Sequence, residues 1–233
     1  MKRLAPILWL TLPVLAAAWP SSPGSCEGRG AVRVVRPAEL FPVPAAGLRV
    51  RGAGDPKPTT PRALLDDFSR CVGVTLHVQH EASRLLDVQE ALGLNGSVDV
   101  PPEEVWSFVE GFVSSLGLAF ELEHRAAPRV LRVLARSGFE GRELADHALL
   151  VDESDLEAWS RHPAWLLTLP MRLERARASD VDDDLRPVWS GLDPQRTEDV
   201  GEHVLLVVAF GDTLARLARL ARVCDVPRAK DDR

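Results

Sequence analysis

Tyrosine is absent from this 233-residue chain, and phenylalanine occurs only seven times. Proteins that hold sugars or single-stranded nucleic acids stack them on aromatic side chains, so the composition does not indicate a binder of either class. The net charge of −6 at pH 7 also argues against a dedicated nucleic-acid binder, which usually carries a clustered basic excess. We therefore predict no nucleic-acid partner.

The sequence also lacks the short motifs that carry catalytic or metal chemistry. It contains no C-x-x-C pair, no H-E-x-x-H, no G-x-S-x-G and no glycine-rich phosphate loop. The densest acidic cluster lies at a predicted helix start, where the helix dipole favours carboxylates and successive side chains point in different directions. We therefore predict no catalytic residue, no metal ligand and no cofactor, and hence no enzyme. The candidates weighed were the cluster Asp180, Asp182, Asp183 and Asp184, and the histidines His77, His80 and His124, which share no ligand spacing.

Cysteine is scarce, with Cys26, Cys71 and Cys224 making an odd count. In an oxidising compartment one pair can form a disulfide and leave one thiol. Burial of Cys71 and Cys224 as small apolar residues near predicted helix ends is the alternative. Lipidation of Cys26 is less favoured, because Pro23 stands where a lipoprotein signal has an aliphatic residue.

The first residues are typical of a secretion signal. Lys2 and Arg3 precede an apolar run from Leu4 to Leu15, and Ala16–Ala18 supplies a small-residue cleavage site. We predict a signal peptide over residues 1–18 and secretion of the remainder. No later apolar stretch approaches the length of a membrane span, so no transmembrane span is expected after signal removal. Residues 19–59 read as a proline-rich, extended lead-in.

The most strongly patterned stretch runs from Pro101 to Ala135. A proline and two glutamates open a helix, Gly117 is a left-handed stop, and alternating apolar residues predict two short strands. We expect one helix face to lie in the core, namely Val105, Val109, Phe112 and Leu116. We expect Glu103, Glu110 and the strand edges to meet solvent or a partner.

The order of elements predicts an α+β protein with two small α/β sandwich domains. Residues 60–135 read as helix, strand, strand, helix, strand, strand, with the segment from Glu81 to Leu92 open between a loop and a helical turn. Residues 136–146 read as a linker, and residues 147–227 as a β-α-β-β arrangement closed by a helix. In the second domain Pro170 indicates a strand edge or bulge, and residues 192–202 read as a polar loop. Residues 228–233 form a charged tail.

The first of these domains resembles the short N-terminal domain shared by secretins and TonB-dependent receptors. The likeness is carried by LLDDFSRCVGVTLHV, by SVDVPPEEVWSFVEGFVSSLGLAFELE and by VLRVLA. The segment from Leu167 to Pro227 resembles the next secretin module, a ring-forming repeat with a KH-like core. There the likeness is carried by LTLPMRLERARASDVDDDLRPVW and HVLLVVAFGDTLARLARLARVCDVP. The secretin channel domain has no counterpart in this chain, so channel formation is not implied.

The resemblance implies a non-enzymatic, periplasmic protein–protein docking component of a secretin-type envelope system, of the type II secretion or type IV pilus-like kind. In secretins the first domain contacts inner-membrane partners and the repeat packs laterally into rings. The implied partners are therefore envelope secretion-system proteins, with self-association as a further expectation. The alternative is a signalling domain like that of TonB-dependent receptors, binding a regulator. An enzyme of unknown type is the third hypothesis.

Two features are candidates for contact with a partner, although the motifs name no partner-binding residue. Arg216, Arg219 and Arg222 recur every third residue and form a basic stripe on the last helix, which either meets an acidic partner or stays solvated. Trp159 and Trp165 lie close together in the sequence. They are interface anchors if exposed, and packing residues between the two domains if buried.

Overall fold

A computed structural model describes residues 34–87, 91–125, 127–189 and 194–227. The predicted signal peptide, Cys26 and the charged tail lie outside these residues. The α+β class is confirmed, since helices and mixed sheets alternate along the described chain. Within the described residues no helix combines the length and apolarity needed to cross a membrane.

The first half of the described chain is a helix-and-sheet unit over residues 34–135. Its elements are α1 (Pro37–Leu40), β1 (Leu48–Val50), α2 (Pro61–Val72), β2 (Thr75–Val78), α3 (His80–Asp87), β3 (Val98–Val100), a 3-10 turn (Pro102–Glu104), α4 (Val105–Ser115), β4 (Leu118–His124) and β5 (Val130–Ala135). Strands β1 and β3 form an antiparallel pair. Strand β5 is the centre of a second sheet, parallel to β2 and antiparallel to β4. The segment left open between loop and helix, from Glu81 to Leu92, is thus helical over residues 81–87.

Local sequence signals define helix α2 at both ends. The Thr60 hydroxyl accepts a hydrogen bond from the Ala63 backbone N–H at 3.2 Å, and Pro61 occupies the first turn, where a missing N–H is harmless. Gly73 ends the helix in the left-handed conformation with φ of 69°, which glycine adopts without steric cost. The residues next to each end of the helix thus favour its start and its stop.

The buried face of helix α4 overlaps the one predicted but is rotated towards Trp106 and Glu110. Val105 and Val109 are fully buried as expected, whereas Phe112 and Leu116 are partly buried and pack against the core. The prediction for Glu110 was wrong, because its side chain is 0% exposed. The hydrophobic pattern could not show that a second surface, formed by distant residues, covers this side of the helix. The buried positions are Val105, Trp106, Val109, Glu110 and Val113.

The second half of the chain is built on a four-stranded sheet over residues 136–227. Its elements are α5 (Gly138–Asp146), β6 (Leu149–Leu150), a 3-10 turn (Glu153–Asp155), α6 (Leu156–Trp159), β7 (Leu166–Arg172), α7 (Ala178–Trp189), β8 (Arg196–Gly201), β9 (Val204–Phe210) and α8 (Gly211–Cys224). The strand order is β6-β7-β9-β8. Strand β6 is parallel to β7, and the other pairs are antiparallel.

Two predictions for this sheet have different outcomes. The prediction of a polar loop over residues 192–202 was wrong for residues 196–201, which form the edge strand β8. Only Thr197 of this strand is buried. Because the other side chains are not buried, the composition of the strand resembles that of a loop. The sequence predicts an edge or a bulge at Pro170. Strand β7 is an inner strand and continues through Pro170, which is opposite Leu206 of β9 without a bulge. The short strand β6 pairs with β7 at Leu167 and Thr168, so Pro170 lies beyond the paired part of that side.

The two halves lie in one compact unit and share a continuous apolar core. The Phe120 N–H of β4 donates to the Ala164 carbonyl at 2.8 Å, and Phe120 forms an isolated parallel bridge with Trp165. The edge of the first sheet is therefore joined to the start of β7. A division into two domains at residues 136–146 stays a prediction, and that segment holds helix α5.

Glu140 of α5 is a buried carboxylate that ties three segments together. Its Oε1 accepts from the Glu81 N–H at 2.6 Å. Its Oε2 accepts from the Ala135 N–H at 2.7 Å and from the Ala82 N–H at 3.3 Å. It thereby caps the start of α3, whose first N–H groups have no partner within the helix.

We predict that Glu140→Ala lowers the free energy of unfolding by about 3 kcal/mol, because three N–H groups lose a charged acceptor. Arg142→Ala, an exposed position on the same helix, should change it by less than about 0.5 kcal/mol. Guanidinium chloride unfolding followed by circular dichroism measures both. Equal losses in the two variants would show that Glu140 is not a capping residue.

Candidate functional site

Residues 34–43, here called the strap, run across both halves of the protein. The Val35 N–H donates to the Leu150 carbonyl of β6 at 2.9 Å. The Arg129 guanidinium of the first half donates to the carbonyls of Glu39 and Leu40 at 2.9 and 3.1 Å. Part of the segment expected to be an extended lead-in is thus bound to the folded body, and it helps to form the junction between the halves.

Phe41 inserts from the strap into an aromatic cluster at this junction. Its ring is stacked on His162, with 3.8 Å between the ring centroids and 21° between the planes. It also makes edge contacts with three tryptophans, Trp106, Trp159 and Trp165, at 5.0, 5.7 and 5.4 Å. Trp159 and Trp165 are fully buried, so they are packing residues between the halves and not exposed anchors.

The buried carboxylate of Glu110 lies behind this cluster. Its Oε1 is 3.0 Å from His162 Nδ1 and accepts a hydrogen bond from the Trp165 indole N–H at 3.1 Å. Its Oε2 is buried and has no hydrogen-bond partner among the described residues. Helix α4 supplies the carboxylate, and the turn before β7 supplies the imidazole and the indole, so the contact joins the two halves.

Burial dominates the electrostatics of the junction. Removal from water raises the pKa of Glu110. The hydrogen bond and charge of His162, the Trp165 indole and the Ala164 backbone only partly oppose this. Burial also lowers the pKa of Arg136 to about 10, against the attraction of Asp212. The Arg136 guanidinium donates to the Leu118 carbonyl at 2.8 Å and lies 3.7 Å over the Phe210 ring.

A groove of about 360 Å³ opens in front of His162. The strap, the start of α4 and the turn before β7 form its walls, and its charged lining residues are Glu103, Glu104 and Arg161. Among the described residues no hydroxyl or thiol hydrogen-bonds to Glu110 or His162. The Glu110–His162 contact thus joins segments of the two halves.

The histidines and aspartates weighed from the sequence do not converge. His77 lies 3.0 Å from Glu123 on the sheet surface. Asp182 turns inward to Thr197 and Arg186, while Asp183 faces solvent. In the described ranges no group of three or more histidine, cysteine or acidic residues could hold a metal ion. Both described cysteines are thiols, and no disulfide joins Cys71 to Cys224.

The basic stripe on α8 is divided between two roles. Arg222 binds both carboxylate oxygens of Glu153 and the Arg172 carbonyl, so it fastens α8 to the body of the protein. Arg216 and Arg219 are exposed. Three apolar side chains lie exposed near them, Leu220 at 40%, Val223 at 73% and Val226 at 52%. Arg216, Arg219, Leu220, Val223 and Val226 are called the α8 outer face below.

A comparison with solved structures finds matches to chains of secretin systems. One is a chain of the Klebsiella pneumoniae type II secretion system outer membrane complex of PulD, PulS and the PulC HR domain, with 16% identity and a TM-score of 0.49. The alignment covers 72% of this chain and 26% of that one, so this chain spans about a quarter of its length. The chain is similar to secretin N-terminal regions.

A second similar structure is the N-terminal domain of the secretin XcpQ from Pseudomonas aeruginosa, with 14% identity and a TM-score of 0.25 over 78% of this chain and 66% of that one. The structure of XcpQN012 matches with 16% identity and a TM-score of 0.25, over 80% and 68% of the two chains. No protein-family model and no curated protein matches this chain.

Sequence reasoning missed Glu110, His162 and Phe41 as members of one site. One signal for Glu110 was present, because it lies four residues after Trp106 and three before Val113, inside an apolar stripe. A carboxylate in that position is either exposed or paired with a buried donor. The partner lies 52 positions further along the chain, beyond the reach of any local pattern.

We predict that Phe41→Ala lowers the free energy of unfolding by about 3 kcal/mol, since it removes an aromatic ring from the centre of the cluster. Val43→Ala in the same strap should have an effect below about 0.5 kcal/mol, because Val43 is 67% exposed. Thermal unfolding followed by near-ultraviolet circular dichroism reports directly on the tryptophans. A Phe41 variant as stable as the Val43 variant would contradict the packing role of the strap.

Proposed function

We propose that this protein is a non-enzymatic docking component of a secretin-type envelope system, acting in the periplasm after removal of residues 1–18. The resemblance of its two modules to secretin N-terminal modules supports the system, and the signal-like first residues support the compartment. The observation that carries the docking role is the α8 outer face, where apolar side chains lie in water beside two arginines.

Residues of the α8 outer face are spaced so that they lie along one side of the helix, as in a helix that binds a partner through one face. Arg216, Leu220 and Val223 follow at intervals of four and three residues, so their side chains lie along one side of the helix. Single exposed apolar residues are ordinary on protein surfaces, whereas a contiguous group of them marks an interaction site.

The charge of this face indicates the kind of partner. Arg216 and Arg219 form a local positive area on a chain with a net charge of −6, so an acidic partner is attracted to this face and repelled by much of the remaining surface. The fitting partner is a protein segment with an apolar strip bordered by carboxylates, docked without any bond being made or broken.

We predict that the wild-type protein captures a component of the envelope secretion complex from periplasmic extract under mild crosslinking. Val223→Asp should reduce this capture by about tenfold or more, because it places a charge in the apolar strip and repels acidic groups. Quantitative mass spectrometry of the crosslinked material measures it.

Val200→Asp is the matched control, since Val200 is 54% exposed and lies outside both the α8 outer face and the groove in front of His162. It should capture the same components as wild type. Capture of no envelope-complex component by the wild type would refute the proposed function. Equal losses in the two variants would refute the α8 outer face as the docking surface.

A further inference from the structure

The buried Glu110–His162 contact joins three segments that are distant in the sequence. Helix α4 provides the carboxylate, the turn before β7 provides the imidazole, and Phe41 of the strap stacks on that imidazole. The contact lies beside the backbone hydrogen bond from Phe120 to Ala164, which joins the two sheets. Any change in the Glu110–His162 contact therefore acts where the two halves meet.

His162 is the only charged neighbour that acts directly on Glu110 within the described structure. From the turn before β7, Trp165 faces the carboxylate with a neutral N–H. From the strap, only the uncharged ring of Phe41 faces His162. Two further charged groups lie at the junction. The partly buried Arg136 interacts with Asp212, and the buried Glu121 of β4 interacts with Arg132, His147 and Glu143. Glu103, Glu104 and Arg161 line the open groove in front of His162.

We infer that Glu110 and His162 form a proton-operated latch between the two halves. The latch is closed while the pair holds at least one titratable proton, as a neutral carboxyl or as an imidazolium beside the carboxylate. It loosens when the pair loses its last titratable proton, because a carboxylate without a cation then remains buried and one of its oxygens has no hydrogen bond.

The direction of the pH dependence follows from the burial of Glu110. Its pKa is raised by desolvation, so its contribution to stability is complete below the pKa of an unfolded glutamate and is lost as the pH rises through the folded pKa. The junction therefore loosens towards alkaline pH.

Hydrogen exchange of the Phe120 amide in the full chain tests the latch, because this N–H bonds across the junction. We expect its protection factor, corrected for intrinsic exchange, to fall about tenfold or more between about pH 6 and pH 9, which corresponds to about one pKa unit of linkage. The Val207 amide in the centre of the second sheet is the internal control and should keep its protection factor. An unchanged Phe120 protection factor, or an equal fall at Val207, would overturn the latch.

Two variants test whether the pH dependence arises from Glu110 and His162. Glu110→Gln keeps an acceptor for Trp165 but no negative charge, so its Phe120 protection should not vary between these pH values. His162→Gln leaves Glu110 as the one proton site of the pair, so its junction should loosen at a lower pH than that of the wild type. The indole N–H resonance of Trp165, assigned by its loss in Trp165→Phe, should titrate in the wild type and not in Glu110→Gln. A wild-type pH dependence that persists in Glu110→Gln would exclude Glu110 as the origin.

Discussion

The interaction on which this structure most depends is the burial of one carboxylate where the two halves meet. Glu110 is removed from water by the second half, and its donors come from that half, so neither half can satisfy this group alone. Burying an ionisable group is unfavourable unless hydrogen bonds and charge compensate it. The aromatic cluster around Phe41 supplies the surrounding apolar contacts, and the Phe120–Ala164 hydrogen bond continues the contact between the sheets.

The need to give buried polar groups hydrogen-bond partners also explains why several polar side chains connect distant segments. Glu140 caps α3 from α5 across 59 positions, and Asp225 at the end of α8 accepts N–H groups from Glu174, Arg175 and Ala176 at 2.8 Å each. Each carboxylate completes backbone groups that no neighbour in the sequence could reach. These ties hold the helices in place and leave the α8 outer face exposed. Its exposed side chains therefore belong to a helix that is fixed at its end.

Local patterns predicted those parts of the fold that depend on neighbouring residues. The capping of α2 by Thr60 and Gly73, the hairpin of β4 and β5, and the apolar strands β7 and β9 all follow from signals within a few residues. Strand β8 was missed because an edge strand with one buried side chain has the composition of a loop. The candidate site was missed almost entirely, since Phe41, Glu110 and His162 meet only after the two halves have packed together.

The sequence by itself was enough to predict the α+β fold class and the order of most helices and strands. It also carried the resemblance to secretin N-terminal modules. Each of these depends on hydrophobic periodicity, helix caps and chain turns, which are set by residues close together in the sequence. Only the tertiary structure decided which face of α4 is buried, how the strap is used, and which arginines of α8 remain exposed. The physical reason is that burial and charge pairing depend on surfaces brought together from 50 or more positions away.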